Sequence, residues 1–573
     1  MSDLINLLVD IDTAIAGPVA SKAMTMSMKS KGIDLDLIPL DSISTTKGKK
    51  DARGKTRKTV KYLASSNIQE SDLHPWDFAQ MTLHQQKKNM RFAEPDLDNY
   101  TFYHDVKKEE NLKTFFKDPV ECVGDRSYDP DWLPNENKIW HLDDNFSQLA
   151  AARKAVTNLP TGTIRIVHFD TGYDGAGHST QPPNLNLQLQ RNFIRKGNSL
   201  SAEDVTPRIK INMPGHGTAT LALLAGNKVK IGNSFNDFVG GASFADVVPV
   251  RISNCVVLDG GITTLFKTSS FYAALRYVID QHDAGNTFHV LSMSMGGVAS
   301  KSWAGVVNEA YEKGIVLVTA AGNNFNGVPT RYLVYPGRFN RVVAACGATY
   351  DYKPYFHKKL GEMQGNYGPA ELMDTAISAF TPNTPWAIMG CRDTISFSGA
   401  GTSSATPQVA AAAACIWKKY KDQLDPLPGW QKAEAVRQLL FRSAKTNFAG
   451  YSKLKFGMGV IQVTDAINMA FPDPASLVKA ADDKVKSFYI DLLSGIFKLR
   501  AGGKPVKKVP FSKELLNLEL TQIIQQDYNL ERNFEKLKTP KNNTRKNQKR
   551  VIEQIIESKK ASNTLKLYLK GML

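Results

Sequence analysis

The sequence predicts an α/β fold: a three-layer sandwich around a central parallel sheet, with a small α+β region before it and a helical extension after it. Two observations predict the sandwich. From about residue 163 to 470, short β-branched runs alternate with helical stretches, in the order IRIVHFD, GHGTATLALLAG, ADVVPVRI, SSFYAALRYVIDQH and HVLSMSMGG. Strands separated by helices pair in parallel, because each helix carries the chain back across the sheet. Runs such as GIVLVTAAG (314–322) and RVVAACGA (341–348) are apolar throughout rather than alternating, as a sheet covered on both faces requires.

The flanks read differently. Residues 1–159 form an N-terminal region in which 58–98 stands out as a unit: KTVKYLASSN as a strand, SDLHPWDFAQMTLHQQKK as a helix capped by Ser71 or Asp72, and NMRFAEPDL as a second strand. Residues 160–472 hold the sandwich. Beyond Pro472 and Pro474, residues 473–573 are polar and mainly helical, broken near AGGKP (501–505) and TPKNNTRKNQKR (539–550). Between those breaks Leu516, Leu520, Ile523, Ile524, Leu530, Phe534 and Leu537 recur at helical spacing, so one face must be buried against the sandwich or a partner.

Composition excludes several classes. A hydrophobic fraction of 42% with 22% charged residues is that of a globular chain, not a disordered one. No stretch reaches the roughly 18 apolar residues of a membrane helix, and MSDLINLLVDID carries acids where an export signal carries bases, so a cytoplasmic protein is expected. Five scattered cysteines (Cys122, Cys255, Cys346, Cys391, Cys415) show no CxxC spacing, so reduced thiols are expected, with no zinc site and no disulfide framework. The net charge of +17 is uneven: residues 501–573 carry 16 Lys or Arg against 7 Asp or Glu, and Lys47 to Lys61 hold eight basic residues against Asp51. No helix-turn-helix, zinc or aromatic-stacking signature accompanies it. A solvated basic surface is therefore expected rather than nucleic-acid binding.

Three segments carry chemistry. Asp170 ends the apolar strand IRIVHFD before a Thr-Gly turn, a position that fixes a carboxylate well. His216 opens a helix of small and aliphatic residues, and the glycines on both sides of it allow another backbone to approach closely. Ser403, in GTSSATPQVAAAAACIW, sits at the mouth of an alanine-rich helix, where unpaired amides and the dipole favour developing negative charge. Taken singly, each has a plain structural alternative: a turn aspartate, a helix-start histidine, an N-capping serine.

Together they resemble the three motifs of the subtilases, subtilisin-like serine proteases of peptidase family S8: DTG, HGT and GTSSATP, in the chain order Asp, His, Ser. The resemblance implies a triad of Asp170, His216 and Ser403. Two further segments agree with it. SMSMGG (292–297) is similar to the edge that pairs with extended substrate, so Ser294, Met295 and Gly296 would line the groove. VTAAGNN (318–324) is similar to the oxyanion segment, which assigns Asn323 the oxyanion. The resemblance covers roughly 300 of the 573 residues, and the 58–98 unit looks like half of the small prodomain that chaperones and inhibits many subtilases. It implies a serine endopeptidase acting on protein or peptide substrates without a cofactor. Because a protease that shares its compartment with the cell's own proteins needs restraint, regulatory control is also expected, with the C-terminal extension, by its position, as a place for a regulatory partner. No metal site is assigned. The alternatives are a catalytically silent scaffold of the same fold and a basic nucleic-acid-binding protein.

Overall fold

The structure is a computed structural model. It describes residues 4–12, 24–28, 33–41, 49–50, 56–57, 59–99, 120–124, 138–194, 199–207, 214–233, 235–254, 256, 266–327, 330–357, 363–485 and 511–573. Most of the basic cluster at 47–58, the AGGKP break and Cys255 lie outside these residues.

The N-terminal region is larger than the 58–98 unit. Strands β1 (Leu4–Asp12), β2 (Met24–Met28), β3 (Ile33–Pro39), β4 (Thr59–Gln69) and β5 (Met90–Pro95) form one sheet in the order β2-β3-β4-β1-β5, and helix α1 (Pro75–Gln85) joins β4 to β5. The neighbours pair antiparallel. LINLLVDID is an interior strand, paired with β4 on one side and β5 on the other, and is buried at nearly every position. Lys61, which belongs to the basic cluster in sequence, is not a solvated charge: its ammonium is buried, 2.5 Å from Asp10.

The sandwich follows from its strands. β6 (Arg165–Asp170), β7 (Arg191–Asn192), β8 (Asp246–Arg251), β9 (Val290–Met293), β10 (Val316–Ala320), β11 (Val342–Ala348) and β12 (Ala376–Phe380) form a seven-stranded sheet in the order β7-β8-β6-β9-β10-β11-β12. Every adjacent pair is parallel. β10 and β11 are buried at every position, as their unbroken apolar sequence requires. On one face lie α2 (His216–Ala225) and α5 (Thr402–Leu424), and α5 crosses β9 to β12. Ala410 to Ala414 are all fully buried, and such small side chains let the helix lie close on the sheet. On the other face are α3 (Thr268–Asp283) and α4 (Lys301–Glu312).

The N-terminal sheet docks on α3 and α4 through two carboxylates at the end of β5, Glu94 within the strand and Asp96 just after it. Glu94 accepts from Ser302 N at 2.9 Å, Lys301 N at 3.1 Å and Ser300 Oγ at 3.0 Å. Asp96 accepts from Ser269 N at 2.7 Å and Ser269 Oγ at 2.8 Å. Each carboxylate meets the unpaired amides and positive dipole end of a helix.

Four helices close the chain: α6 (Lys513–Gln525), α7 (Tyr528–Leu537), α8 (Arg545–Glu557) and α9 (Asn563–Lys570). The helically spaced apolar residues at 516–537 face Val551, Ile552, Ile555, Leu565 and Leu569, forming a core of their own. Leu515 and Leu518 instead join the core of the sandwich. The unit also grips α1, where Asp77 accepts from the amides of Asn563 and Thr564 at the start of α9.

One expectation is corrected. Cys122 and Cys391 are joined in a disulfide across 269 residues. Chain folding brings them together from so far apart that no local spacing could signal the pair. Cys346 and Cys415 are buried free thiols, and burial raises the pKa of each to about 12.

Candidate active site

The three parallel strands β6, β9 and β10 bring their C-terminal ends to one edge of the sheet, and the chemistry gathers there. Asp170 is the last residue of β6 and has no exposed surface. The first turn of α2 places His216 against it, with Nδ1 2.7 Å from Asp170 Oδ1. The flanking glycines permit this. Gly215 has φ +79°, the left-handed region, and a Cβ on Gly217 would collide with the carbonyl of Gly172 in the turn after Asp170.

Asp170 is held from several sides. Oδ1 also accepts from Thr171 N at 2.7 Å, and Oδ2 accepts from Thr220 Oγ1 at 3.2 Å. Burial raises the carboxyl's pKa, but His216, His168 and the Thr171 amide outweigh it and hold the group below its ordinary 3.8. It is therefore the ionised partner of the imidazole. On its other side His216 Nε2 is buried and makes no hydrogen bond among the described residues.

Ser403 lies in the first turn of α5, 9% exposed. Its Oγ donates to Ser294 O at 3.3 Å, and Ser294 Oγ donates back to Ser403 O at 3.0 Å. Pro407 explains the second bond. Four residues on, it has no N–H for the Ser403 carbonyl, which would otherwise be unpaired inside the helix. Ser294 thus ties the edge segment to the helix that carries Ser403. Met295 is 5% exposed and belongs to the buried core, so it offers an incoming chain its backbone alone. Gly296 is half-buried.

Asn323, just beyond β10, uses its Oδ1 to accept from Thr402 N at 2.9 Å and Thr402 Oγ1 at 3.3 Å. With the oxygen so occupied, the amide's Nδ2 hydrogens are the donors left beside the start of α5. Asp170 with His216, Ser294 with Ser403, and Asn323 with Thr402 are therefore each in contact. No Ser403–His216 hydrogen bond occurs among the described residues.

The match to known proteins covers this same region. Residues 164–459 match the model of the subtilase family, just over half of the chain. The chain belongs to the subtilase family. It is 28% identical to a subtilisin of Bacillus sp. (strain TA39) over 52% of this chain and 68% of that protein. Subtilisin NAT of Bacillus subtilis subsp. natto is 29% identical over 56% of this chain and 70% of its own length. The minor extracellular protease Epr of Bacillus subtilis is 28% identical over 34% of this chain but 27% of that protein. The parallel sheet with helices on both faces is this family's α/β fold, and membership makes the chain a serine peptidase in kind.

Residue-by-residue reading missed the groups that surround Asp170. His168 lies 3.9 Å from Asp170 and contacts Thr220 Oγ1 at 2.9 Å; burial lowers its pKa to about 4, so it is neutral. Asp204 accepts from Thr171 Oγ1 at 2.8 Å and from Gly215 N at 3.1 Å, tying the aspartate's turn to the start of α2. Periodicity carries a signal for two of these residues: His168 is two residues from Asp170 on one strand face, and Thr220 is four residues from His216 on one helix face. Asp204 has no such signal.

Proposed function

We propose that the subtilase is an active serine endopeptidase with Ser403 as nucleophile, His216 as general base and Asp170 as the carboxylate that orients the imidazole. The observation that carries this is His216 itself, bonded to an ionised Asp170 through Nδ1 while the buried Nε2 has no partner among the described residues. An imidazole held this way donates its Nδ1–H to the Asp170 carboxylate and keeps a lone pair on Nε2 to accept a proton. In the reaction, Ser403 Oγ turns from Ser294 O to His216 Nε2 and attacks the scissile carbonyl as Nε2 takes its proton. Asn323 Nδ2 and the Ser403 amide then stabilise the oxyanion. The tetrahedral intermediate collapses by breaking the C–N bond, His216 protonates the departing amine, and water releases the acyl group by the same steps. The backbone of residues 294–296 would bind substrate as an added strand once Ser403 Oγ has turned away from Ser294 O, giving affinity with little dependence on sequence.

The intact N-terminal sheet, docked through Glu94 and Asp96, supports regulatory control by a prodomain-like unit. Asp98–Asn99 extends this contact by pairing with Phe266–Lys267 just before α3. The cytoplasmic placement expected from the N-terminus requires Cys122 and Cys391 to be kept reduced, whereas their disulfide favours an oxidising compartment.

Labelling with a fluorophosphonate tests the assignment. Chains freed of residues 1–137 should label in the wild type and not in Ser403→Ala, and Asp170→Asn should slow labelling by about 10⁴-fold, the loss seen for the same change in a Ser-His-Asp triad of another fold. A freed wild-type chain that stays unlabelled would favour the silent scaffold.

A further inference from the structure

The C-terminal helices touch the sandwich where the proposed substrate edge ends. Gly297 exchanges backbone hydrogen bonds with Tyr335, its N–H to Tyr335 O at 2.6 Å and its carbonyl from Tyr335 N at 3.1 Å. Gln525, at the end of α6, adds a second set: Nε2 donates to Gly297 O at 2.8 Å and Oε1 accepts from Ala299 N at 3.1 Å. One carboxamide thus serves the carbonyl of residue 297 and the amide of residue 299, as a neighbouring strand would. One turn earlier, Gln522 Nε2 donates to Ala299 O at 2.7 Å. These are glutamines from a different part of the chain, and both are buried at the contact.

The adjoining segment, paired to Gly297 through Tyr335, is held in the same way. Glu531 on α7 bonds Arg338 at 2.5 Å and accepts from Thr330 Oγ1 at 2.7 Å. The side chains of Arg338 and Glu531 are 7% and 2% exposed, so the pair is desolvated and neither ion can leave without stranding the other. Arg338 in turn donates to Leu333 O and lies over the Tyr335 ring. Tyr528 packs beside Tyr332 and under Arg331.

A backbone edge that is loose until substrate arrives must be ordered on binding, at a cost in conformational entropy. Fixing the edge beforehand removes that cost. We infer that the C-terminal unit is a built-in brace of the substrate cleft, with Gln522, Gln525 and Glu531 as positioning residues that hold segments 297–299 and 330–338 ready for an extended peptide. The inference rests on the peptidase reading for its kinetic consequence, but not for its structural one.

The test uses the full chain with Gln525→Met, which keeps the volume and removes both hydrogen bonds, and with Glu531→Gln as a second variant. Expected are a rise of about tenfold in KM for a peptide with four or more residues before the cleaved bond, kcat within about twofold, and an unchanged rate of labelling by a small fluorophosphonate. Amide exchange at residues 294–299 should quicken in both variants. Unchanged KM and unchanged exchange would overturn the brace, as would KM, kcat and labelling all failing together, which marks a general loss of fold. If the wild type does not label, the peptidase reading fails, and exchange at Gly297 and Ala299 still decides the brace.

Discussion

Asp170 is useful as a catalytic carboxylate only if it stays ionised while buried, and its neighbours decide that. Thr220 is the clearest case, because its hydroxyl contacts both Asp170 Oδ2 and His168 Nε2. Thr220→Val keeps the shape and leaves the carboxylate oxygen short of a donor. Expected is a fall in kcat of about tenfold, roughly 1.4 kcal/mol in the barrier, with KM unchanged. Steady-state kinetics on a peptide substrate measure it, and a change confined to KM would contradict the role. His168 is legible as a neighbour of Asp170 from the strand period, yet its neutrality is not, since that follows from burial among residues far apart in sequence.

At the scale of elements, the N-terminal sheet and the helices it caps act as a pair. Glu94→Ala leaves the amides of Lys301 and Ser302 without their carboxylate acceptor. Unpaired buried groups of this kind cost about 1–3 kcal/mol each. Hydrogen exchange across β4 and β5 should quicken in the variant, and turnover of peptide by the full chain should rise as the unit loosens. Unaltered exchange with unaltered turnover would show that Glu94 does not hold the sheet. The C-terminal helices illustrate a different pH response. Glu519 on α6 is buried against Ser562, and burial raises its pKa to about 8. A carboxyl whose folded pKa exceeds its unfolded value of 4.5 contributes stability that is complete below pH 4.5 and is lost as pH rises through 8. Glu519→Gln should therefore gain stability relative to wild type between pH 5 and pH 9 in urea unfolding, and a constant difference would refute the buried neutral carboxyl.

For the whole molecule, His141, His168 and His289 sit in the core with pKa values lowered by burial to about 3, 4 and 3. Each is lowered from 6.5, so each contributes stability that is complete above pH 6.5 and lost as pH falls toward 4 and 3. Their ring resonances should remain those of neutral imidazole at pH 5. A shift near pH 6.5 in any of the three would place that ring in solvent.

The α/β sandwich was determined by sequence alone, because strand and helix periods are local and apolar runs such as those at β10 and β11 call for a sheet covered on both faces. Ser403 was legible through seven adjacent letters, and Asp170 and His216 through their order before it. Tertiary structure alone decided the rest. LINLLVDID became an interior strand of an N-terminal sheet, with partners about 50 and 80 residues away. Cys122 met Cys391 across 269 residues, and Gln525 reached Gly297 across 228. Contacts of that range carry no spacing signal, so only the folded chain shows which segments of the sandwich the C-terminal helices contact.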